Sequence, residues 1–150
     1  MRYLYLVTPF ATWLLCGVIK FAVNSVRARR WAFDQIGYGG MPSNHSAIVA
    51  STATAVALRE GIDSPAFGAA LTLAFIVTMD AKSLRRQVGA QAVRINRLIK
   101  SAPPSGAATA APETPLRERI GHTRGEILAG LAVGAASAWA IQAVLLRLAA

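Results

Sequence analysis

Both histidines of the chain stand at the entrance to an apolar run, in short stretches of glycine and small polar residues. His45 belongs to GGMPSNHS at 39–46, and the run that follows carries almost no polar group except hydroxyls. Ser43 or Asn44 would cap a helix beginning there, which gathers free N–H groups and the positive end of the helix dipole beside the imidazole. Such a helix start binds anions, phosphate especially. The same pattern also fits an interfacial loop in which Ser43 and Asn44 only cap the helix and His45 faces water.

The second histidine lies in GHTRGE, where His122 and Glu126 are four residues apart. This spacing puts both side chains on one face of a helix, so the carboxylate could accept a hydrogen bond from one ring nitrogen and orient the other. An oriented histidine can act as a nucleophile or a base. Thr123 and Glu126 also match a capping box, which would occupy the same carboxylate without any chemistry. We favour the catalytic role because the order of segments places His122 on the same side of the apolar runs as His45.

Cations that could hold a phosphate stand at the ends of these apolar runs. Lys20 and Arg27 are seven residues apart, two turns along one helix face, and Arg85 and Arg86 follow the third run just past Asp80. Phosphate suits the fork of a guanidinium group. We expect Asp80 to pair with Arg85 or Lys20 and to hold them in place. A basic belt that meets anionic lipid head groups would account for most of a further group of cations, Arg29, Arg30, Arg94, Arg97 and Lys100.

The composition predicts that these residues are positioned by a small integral membrane bundle. Of 150 residues, 54% are hydrophobic and only 15% are charged, against about a quarter charged in soluble domains. Four apolar segments, at roughly 3–26, 44–58, 66–79 and 121–148, are expected to be helices, and a basic helical tail follows the third. We expect an all-α fold of about four helices in one membrane domain, 1–150, with a flexible loop rich in proline and alanine at 101–115. The second and third segments are short for a simple crossing, which takes about twenty residues.

The basic residues are divided unevenly between the two ends of these segments. If the segments alternate in direction, thirteen of the sixteen lie on the side of both histidines, and Arg2, Arg59 and Arg147 lie on or near the other. The positive-inside rule then predicts that the histidines lie on the cytoplasmic side and both termini outside. We expect an integral membrane protein of a bacterial inner membrane. A net charge of +9 placed in this way indicates no nucleic-acid partner. The lone Cys16 excludes an intramolecular disulfide, and we expect the first segment to be retained as a helix.

Taken in order, these residues resemble the three-part signature of the type-2 phosphatidic acid phosphatase superfamily, which also contains the vanadium haloperoxidases. The corresponding parts are Lys20-x6-Arg27, Pro42-Ser43-x-His45, and a histidine followed four residues later by an acid. The stretches GGMPSNHSA, MDAKSLRRQVGAQA and GHTRGEILAG are similar, more closely, to the divergent membrane branch of that superfamily, described as acid-phosphatase or vanadium-haloperoxidase related. The similarity covers nearly the whole chain apart from 101–115.

The resemblance implies a phosphatase that needs no metal and no cofactor. His122 would be the nucleophile that forms a phosphohistidine, and Glu126 would orient it. His45 would protonate the leaving alcohol. The substrate implied is a phosphomonoester or diphosphate of a lipid or isoprenoid.

The resemblance also implies how the phosphate is held. Lys20, Arg27 and the region of Ser43 and Asn44 would surround it with fixed donors that stabilise a charged transition state. The parent fold usually has six membrane helices, so this chain would be a reduced core, which a homodimer could complete.

The sequence departs from the parent pattern in all three parts. The differences are Asn44 for a glycine, Glu126 for an aspartate, no proline after Arg27, and Leu116 in the place of the third-motif arginine. Arg85 or Arg86 would replace that lost cation from another helix.

Three functions fit these observations. The first is the lipid or isoprenoid phosphatase. The second is a non-catalytic protein that binds or transports lipid phosphates with the same anion site, and the departures in the third motif are compatible with it. The third is a metal-dependent phosphotransferase with Asp80, His45, His122 and Glu126 as ligands, but the sequence contains no close ligand spacing such as H-x-x-x-H or D-x-x-D. The pair of histidines favours the first.

Overall fold

The computed structural model of the chain describes residues 3–33, 40–101, 114–118 and 120–148. This part of the chain is all-helical, as predicted, with five helices. They are α1 (Leu4–Ala28), α2 (Asn44–Glu60), α3 (Pro65–Lys82), α4 (Leu84–Ser101) and α5 (Arg124–Leu148). The four apolar segments correspond to α1, α2, α3 and α5, and the basic tail forms α4. Of the predicted loop at 101–115, residues 102–113 lie outside the described residues.

A tight connection turns the chain back between α2 and α3. Gly61 ends α2 with a φ of 87°, a conformation that glycine adopts at little cost. Ser64 then caps α3 by accepting a hydrogen bond from the N–H of Phe67 at 3.1 Å, and Pro65 occupies the first helical position. The two helices form a hairpin, in which α2 and α3 run in opposite directions.

Contacts at both ends of the bundle fix the direction of the other helices. The Tyr5 hydroxyl, near the start of α1, donates a hydrogen bond to the carboxylate of Glu60 at the end of α2. At the opposite end, the Ser43 N–H donates to the backbone oxygen of Glu126 at 2.9 Å. The end of α1 and the starts of α2 and α5 therefore lie together, on the side where α3 ends.

The central helix is α2, which packs against α1, α3 and α5. Its buried residues are alanines, serines and a valine, namely Ser46, Ala47, Val49, Ala50, Ser51, Ala53 and Ala55. The facing residues of α5 are Gly130 and Gly134, where an added methyl group would collide with the backbone oxygens of Ser43 and Ala47 respectively. Close backbone approach through small residues is typical of helices packed in lipid. The contact of Gly130 and Gly134 with the α2 backbone fixes the position of the start of α5 relative to the start of α2.

The chain is an integral membrane protein. Within the described residues, three helical stretches are long and apolar enough to cross a membrane: Leu4–Ala28, Pro65–Ser101 and Arg124–Leu148. By contrast, α2 has 17 residues, or about 25 Å at about 1.5 Å per residue, which is shorter than a hydrocarbon core of about 30 Å. The short helix α2 is packed among the more apolar helices α1, α3 and α5.

Helix α4 holds in place the segment that leads into α5. The buried side chain of Asn96 donates to the Leu116 carbonyl at 2.8 Å and to the Glu118 carboxylate at 2.9 Å, and it accepts from the Leu116 N–H at 2.9 Å. Gly89, two turns earlier, lies against the backbone oxygen of Glu118 without room for a methyl group. Residues 116–118 are therefore fixed along α4 just before the chain reaches His122.

Candidate active site

A cavity of about 640 Å³ lies at the end of the bundle where α1 ends and α2 and α5 begin. One wall is the face of α1, and the others are the first turn of α2, the start of α4 and the segment before α5. Its polar lining includes Lys20, Asn44, His45, Arg85, Arg117 and His122. Its apolar lining includes Trp13, Leu14, Val18, Phe21, Phe33 and Ile120. The cavity therefore has one end suited to an anion and another suited to a hydrocarbon.

The two histidines meet in this cavity. The ring centroids of His45 and His122 are 5.9 Å apart, with the ring planes at 74°. The Nδ1 atom of His45 and both ring nitrogens of His122 are buried and have no hydrogen-bond partner among the described residues. Buried polar atoms are nearly always paired in native structures. These unpaired nitrogens therefore point to a ligand or a proton-transfer role.

The surroundings of both rings lower their pKa. For His45 the main cause is burial, followed by the positive charges of Arg85 and Lys20. For His122 the main cause is also burial, and Lys20 is the largest of the charges that lower its pKa. Both effects disfavour the imidazolium form. The free protein therefore holds two mainly neutral imidazoles near neutral pH, and a neutral imidazole is the nucleophilic form.

Two of the predicted phosphate-binding cations reach the cavity, one from each of two helices. Lys20 comes from α1 and Arg85 from the first turn of α4. The Nε of Arg85 lies 3.1 Å from Oδ2 of Asp80, so the predicted pairing of Asp80 with Arg85 is confirmed. The end of α3 is also linked to the site, because the backbone N–H of His122 donates a hydrogen bond to the backbone carbonyl of Ala81 at 3.1 Å. Asp80 thus holds a cation in place beside the histidines.

The structure corrects the expectation that Glu126 orients His122 through a hydrogen bond. The Glu126 Oε2 atom accepts from the Thr123 N–H at 2.8 Å, and the Glu126 N–H donates to the Thr123 hydroxyl at 3.2 Å. This is the capping box that the sequence offered as the alternative. The carboxylate still raises the pKa of His122 through its charge, against the larger effects of burial and Lys20. Because the carboxylate caps the helix and makes no hydrogen bond to the ring of His122, its influence on that ring is electrostatic.

Three other predicted phosphate-binding residues do not line the cavity. Arg27 is exposed in the last turn of α1, seven residues and so about 10 Å along the axis from Lys20. Arg86 is exposed and does not line the cavity, although its Cγ lies close to Gly121, which does. Ser43 is fully buried, and its Oγ accepts from the Ser46 N–H at 3.3 Å and from the Ser46 hydroxyl at 3.1 Å. Asn44, by contrast, does line the cavity.

Sequence reasoning did not assign Arg117 and Asn24 to the site, although both line the cavity. Arg117 directly follows Leu116, the residue in the place of the third-motif arginine. Allowing the third-motif arginine to lie one position later in the sequence would therefore have identified Arg117. Asn24 is buried one turn beyond Lys20, and a methyl group at Gly40, whose φ is 145°, would lie 3.3 Å from its Oδ1. Of the two glycines before Met41, Gly39 lies outside the described residues.

The described residues include no group of three or more His, Cys, Asp and Glu side chains placed to hold a metal ion. Two of the four residues considered as ligands are engaged elsewhere. Asp80 faces Arg85, and Glu126 caps α5.

Comparison with known proteins identifies a family and a relative described as a membrane protein. The model of the "Divergent PAP2 family" matches residues 2–137. A Bacillus subtilis (strain 168) protein, "Uncharacterized membrane protein YuiD", is 37% identical over 95 residues, which are 63% of this chain and 60% of that protein. The chain thus matches less than two thirds of the length of this relative. No solved structure matches the chain. With a family match over most of its length, two histidines in one cavity and a helical membrane fold, the chain belongs to the divergent PAP2 family.

Proposed function

We propose that this protein is a membrane phosphatase that removes phosphate from a lipid or isoprenoid phosphate through a phosphohistidine. The observation that carries the proposal is the pair of imidazoles beside Lys20 and Arg85, of which three ring nitrogens, Nδ1 of His45 and both of His122, are buried and have no hydrogen-bond partner among the described residues. Their cavity continues into an apolar wall on a membrane helix. A phosphate ester with a long hydrocarbon chain fits both halves.

The phosphate would lie between the cations and the start of α2. Lys20, Arg85 and Arg117 reach this region from three different parts of the chain, so a phosphate would be surrounded rather than held from one side. Asn44 and His45 occupy the first turn of α2, where backbone N–H groups have no acceptor within the helix. Anions are stabilised at such a helix start. Donors fixed before the reaction stabilise the charge that develops in the transition state.

The histidines would divide the chemistry between them. In the first step a ring nitrogen of His122 attacks phosphorus, the bond from phosphorus to the ester oxygen breaks, and His45 gives its proton to that oxygen. The lipid alcohol leaves. In the second step a water molecule attacks the phosphohistidine and His45 takes a proton from it. Inorganic phosphate is released and both histidines return to their starting forms.

The shifted pKa values suit this division. Neutral His122 is ready to act as a nucleophile. His45 must carry a proton to act as an acid, and the negative charge of a bound phosphate favours that form by offsetting Arg85 and Lys20. Because the two rings are close, one proton on the pair disfavours a second. Substrate binding would therefore bring the acid into its active form.

A non-catalytic lipid-phosphate binder is the second candidate. The observation in its favour is the capping box, which leaves His122 without a carboxylate hydrogen bond. Such a protein would hold the phosphate with the same cations and release it unchanged.

Phosphate release by the purified protein in detergent distinguishes the two candidates. The substrates are phosphatidic acid, phosphatidylglycerophosphate and prenyl mono- and diphosphates, with EDTA present throughout. We expect release that is lost in His122→Ala and His45→Ala and strongly reduced in Arg85→Gln. Arg94→Gln is the matched control, because Arg94 is exposed on the same helix away from the cavity. Binding of a labelled lipid phosphate without release of phosphate from any member of the panel would favour the binder.

A further inference from the structure

The apolar side of the cavity opens toward lipid. Trp13, Leu14 and Val18 line the cavity, yet they are 52%, 63% and 59% exposed. They belong to α1, which is long and apolar enough to cross a membrane. Their exposed surface therefore faces hydrocarbon, and the cavity extends along α1 from the histidines to the bilayer.

Gly17 stands in the middle of this apolar wall. A methyl group added there would meet no atom within 4 Å. The glycines at 89, 130 and 134 differ, because each lies against the backbone of another segment. Glycine destabilises the interior of a helix relative to alanine, and at Gly17 no close packing of the described residues explains it. Because Gly17 has no side chain, the space beside the α1 backbone is open at this position.

We propose that Gly17 determines which substrates fit, because the hydrocarbon chain of the phosphate ester passes over the α1 backbone at this position. This inference rests on the proposed function. Gly17 precedes Lys20 by one turn, about 4.5 Å along the helix axis at about 1.5 Å per residue. With the phosphate at Lys20, the first few carbons of the chain lie over Gly17. The rest of the chain continues past Val18 and Leu14 into the membrane.

The occupant follows from the two ends of the passage. The positive charges at one end complement a phosphate, and the other end is continuous with the lipid-facing surface of α1. A water-soluble phosphate ester would fill the polar end alone. A side chain at residue 17 would therefore obstruct long-chain esters and leave short ones nearly unaffected.

The test compares Gly17→Ala and Gly17→Leu with Gly68→Leu. Gly68 is the matched control because it lies in a membrane-crossing helix, is exposed and also has no atom within 4 Å of an added methyl group. Each variant is assayed with a long-chain ester, farnesyl phosphate or phosphatidic acid, and with methyl phosphate, whose single carbon is too short to reach Gly17. Displacing two or three methylene groups from their contacts corresponds to a loss of roughly tenfold to fiftyfold.

We expect kcat/KM for the long-chain ester to fall by about that factor in Gly17→Leu and by less in Gly17→Ala. The value for methyl phosphate should change by less than about threefold, and Gly68→Leu should leave both unchanged. Equal losses for long and short esters, or full activity of Gly17→Leu on the long-chain ester, would overturn the proposal. The thermal unfolding temperature of each variant in detergent shows whether a loss reflects misfolding, and the smaller Gly17→Ala change keeps the comparison informative if Gly17→Leu fails to fold.

Failure of the proposed hydrolysis is distinguishable from failure of this inference. If the wild-type protein releases no phosphate, a photoactivatable long-chain alkyl phosphate measures binding instead, with inorganic phosphate as competitor. Weaker labelling of Gly17→Leu, with unchanged competition by inorganic phosphate, would support the passage at Gly17 in a binding protein. Labelling equal to that of the wild type would refute it.

Discussion

Replacement of Gly130 by alanine tests the contact that brings the two histidines together. A methyl group at this position would collide with the Ser43 carbonyl oxygen and would lie 3.0 Å from Cβ of Ser46 and 3.1 Å from Cβ of Ser43. Carbon atoms in favourable contact are about 3.5–4.0 Å apart, so α5 must move away from α2 by roughly 0.5–1 Å. Ser43 is two residues from His45, and the displacement therefore reaches the site.

Two opposing effects determine the size of the change in stability. Overpacking costs about 1–3 kcal/mol, while alanine in place of glycine within a helix returns about 0.5–1 kcal/mol. We expect a net loss of up to about 2.5 kcal/mol in the free energy of unfolding. A misplacement of about 1 Å can also lower turnover roughly a hundredfold, so activity should fall more than stability does.

Gly125→Ala is the matched control, because it lies in the same helix and an added methyl group meets no atom within 4 Å. Thermal unfolding in detergent, followed by circular dichroism, should show Gly130→Ala below the wild type and Gly125→Ala at or above it. Phosphate release should fall only in Gly130→Ala. If the two variants unfold at the same temperature and retain equal turnover, the close approach of α5 to α2 does not set the geometry of the site.

Three further predictions concern the site itself. The kcat/KM of phosphate release should fall as pH rises through the pKa of His45, which burial and the charges of Arg85 and Lys20 lower, because the imidazolium that acts as the acid is lost there. A pH profile that rises through neutrality would contradict its role as the acid. Asn96→Ala should cost about 1–3 kcal/mol by leaving the backbone N–H and carbonyl of Leu116 and the Glu118 carboxylate without these hydrogen bonds. It should also raise KM by releasing Arg117, as unfolding and kinetics measured together would show. Glu126→Ala should cost about 1 kcal/mol as a lost helix cap and lower turnover by less than tenfold; a loss of a thousandfold or more would mean that this carboxylate orients His122 during catalysis.

Much of the fold could be predicted because it depends on local patterns. The lengths of the apolar runs determine the helices, and Gly61 with Ser64 and Pro65 determines the turn between α2 and α3. The basic tail was expected to be helical and is. The pairing of Asp80 with Arg85 was also accessible, because the two residues are near neighbours at the junction of two helices.

The choice among alternative partners could not be predicted, because it depends on tertiary packing. Glu126 could reach either Thr123 or His122, and only the direction of the chain before α5 decides for Thr123. Arg27 shares a helix face with Lys20 by spacing, but the cavity does not extend to the last turn of α1.

The position of Arg117 was hidden for a similar reason. It follows from three hydrogen bonds made by Asn96, which lies about twenty residues earlier in the chain. No local pattern in the sequence connects these two segments.

The most direct test of the central claim is to look for phosphate covalently attached to His122. The wild-type protein is mixed with a lipid phosphate labelled with ³²P in its phosphate group, quenched within milliseconds to seconds, and divided between acid and alkali. We predict a label on the protein that is lost in acid, is stable in alkali, maps to His122 and is absent in His122→Ala. Rapid phosphate release without such a label, or full turnover by His122→Ala, would contradict the account.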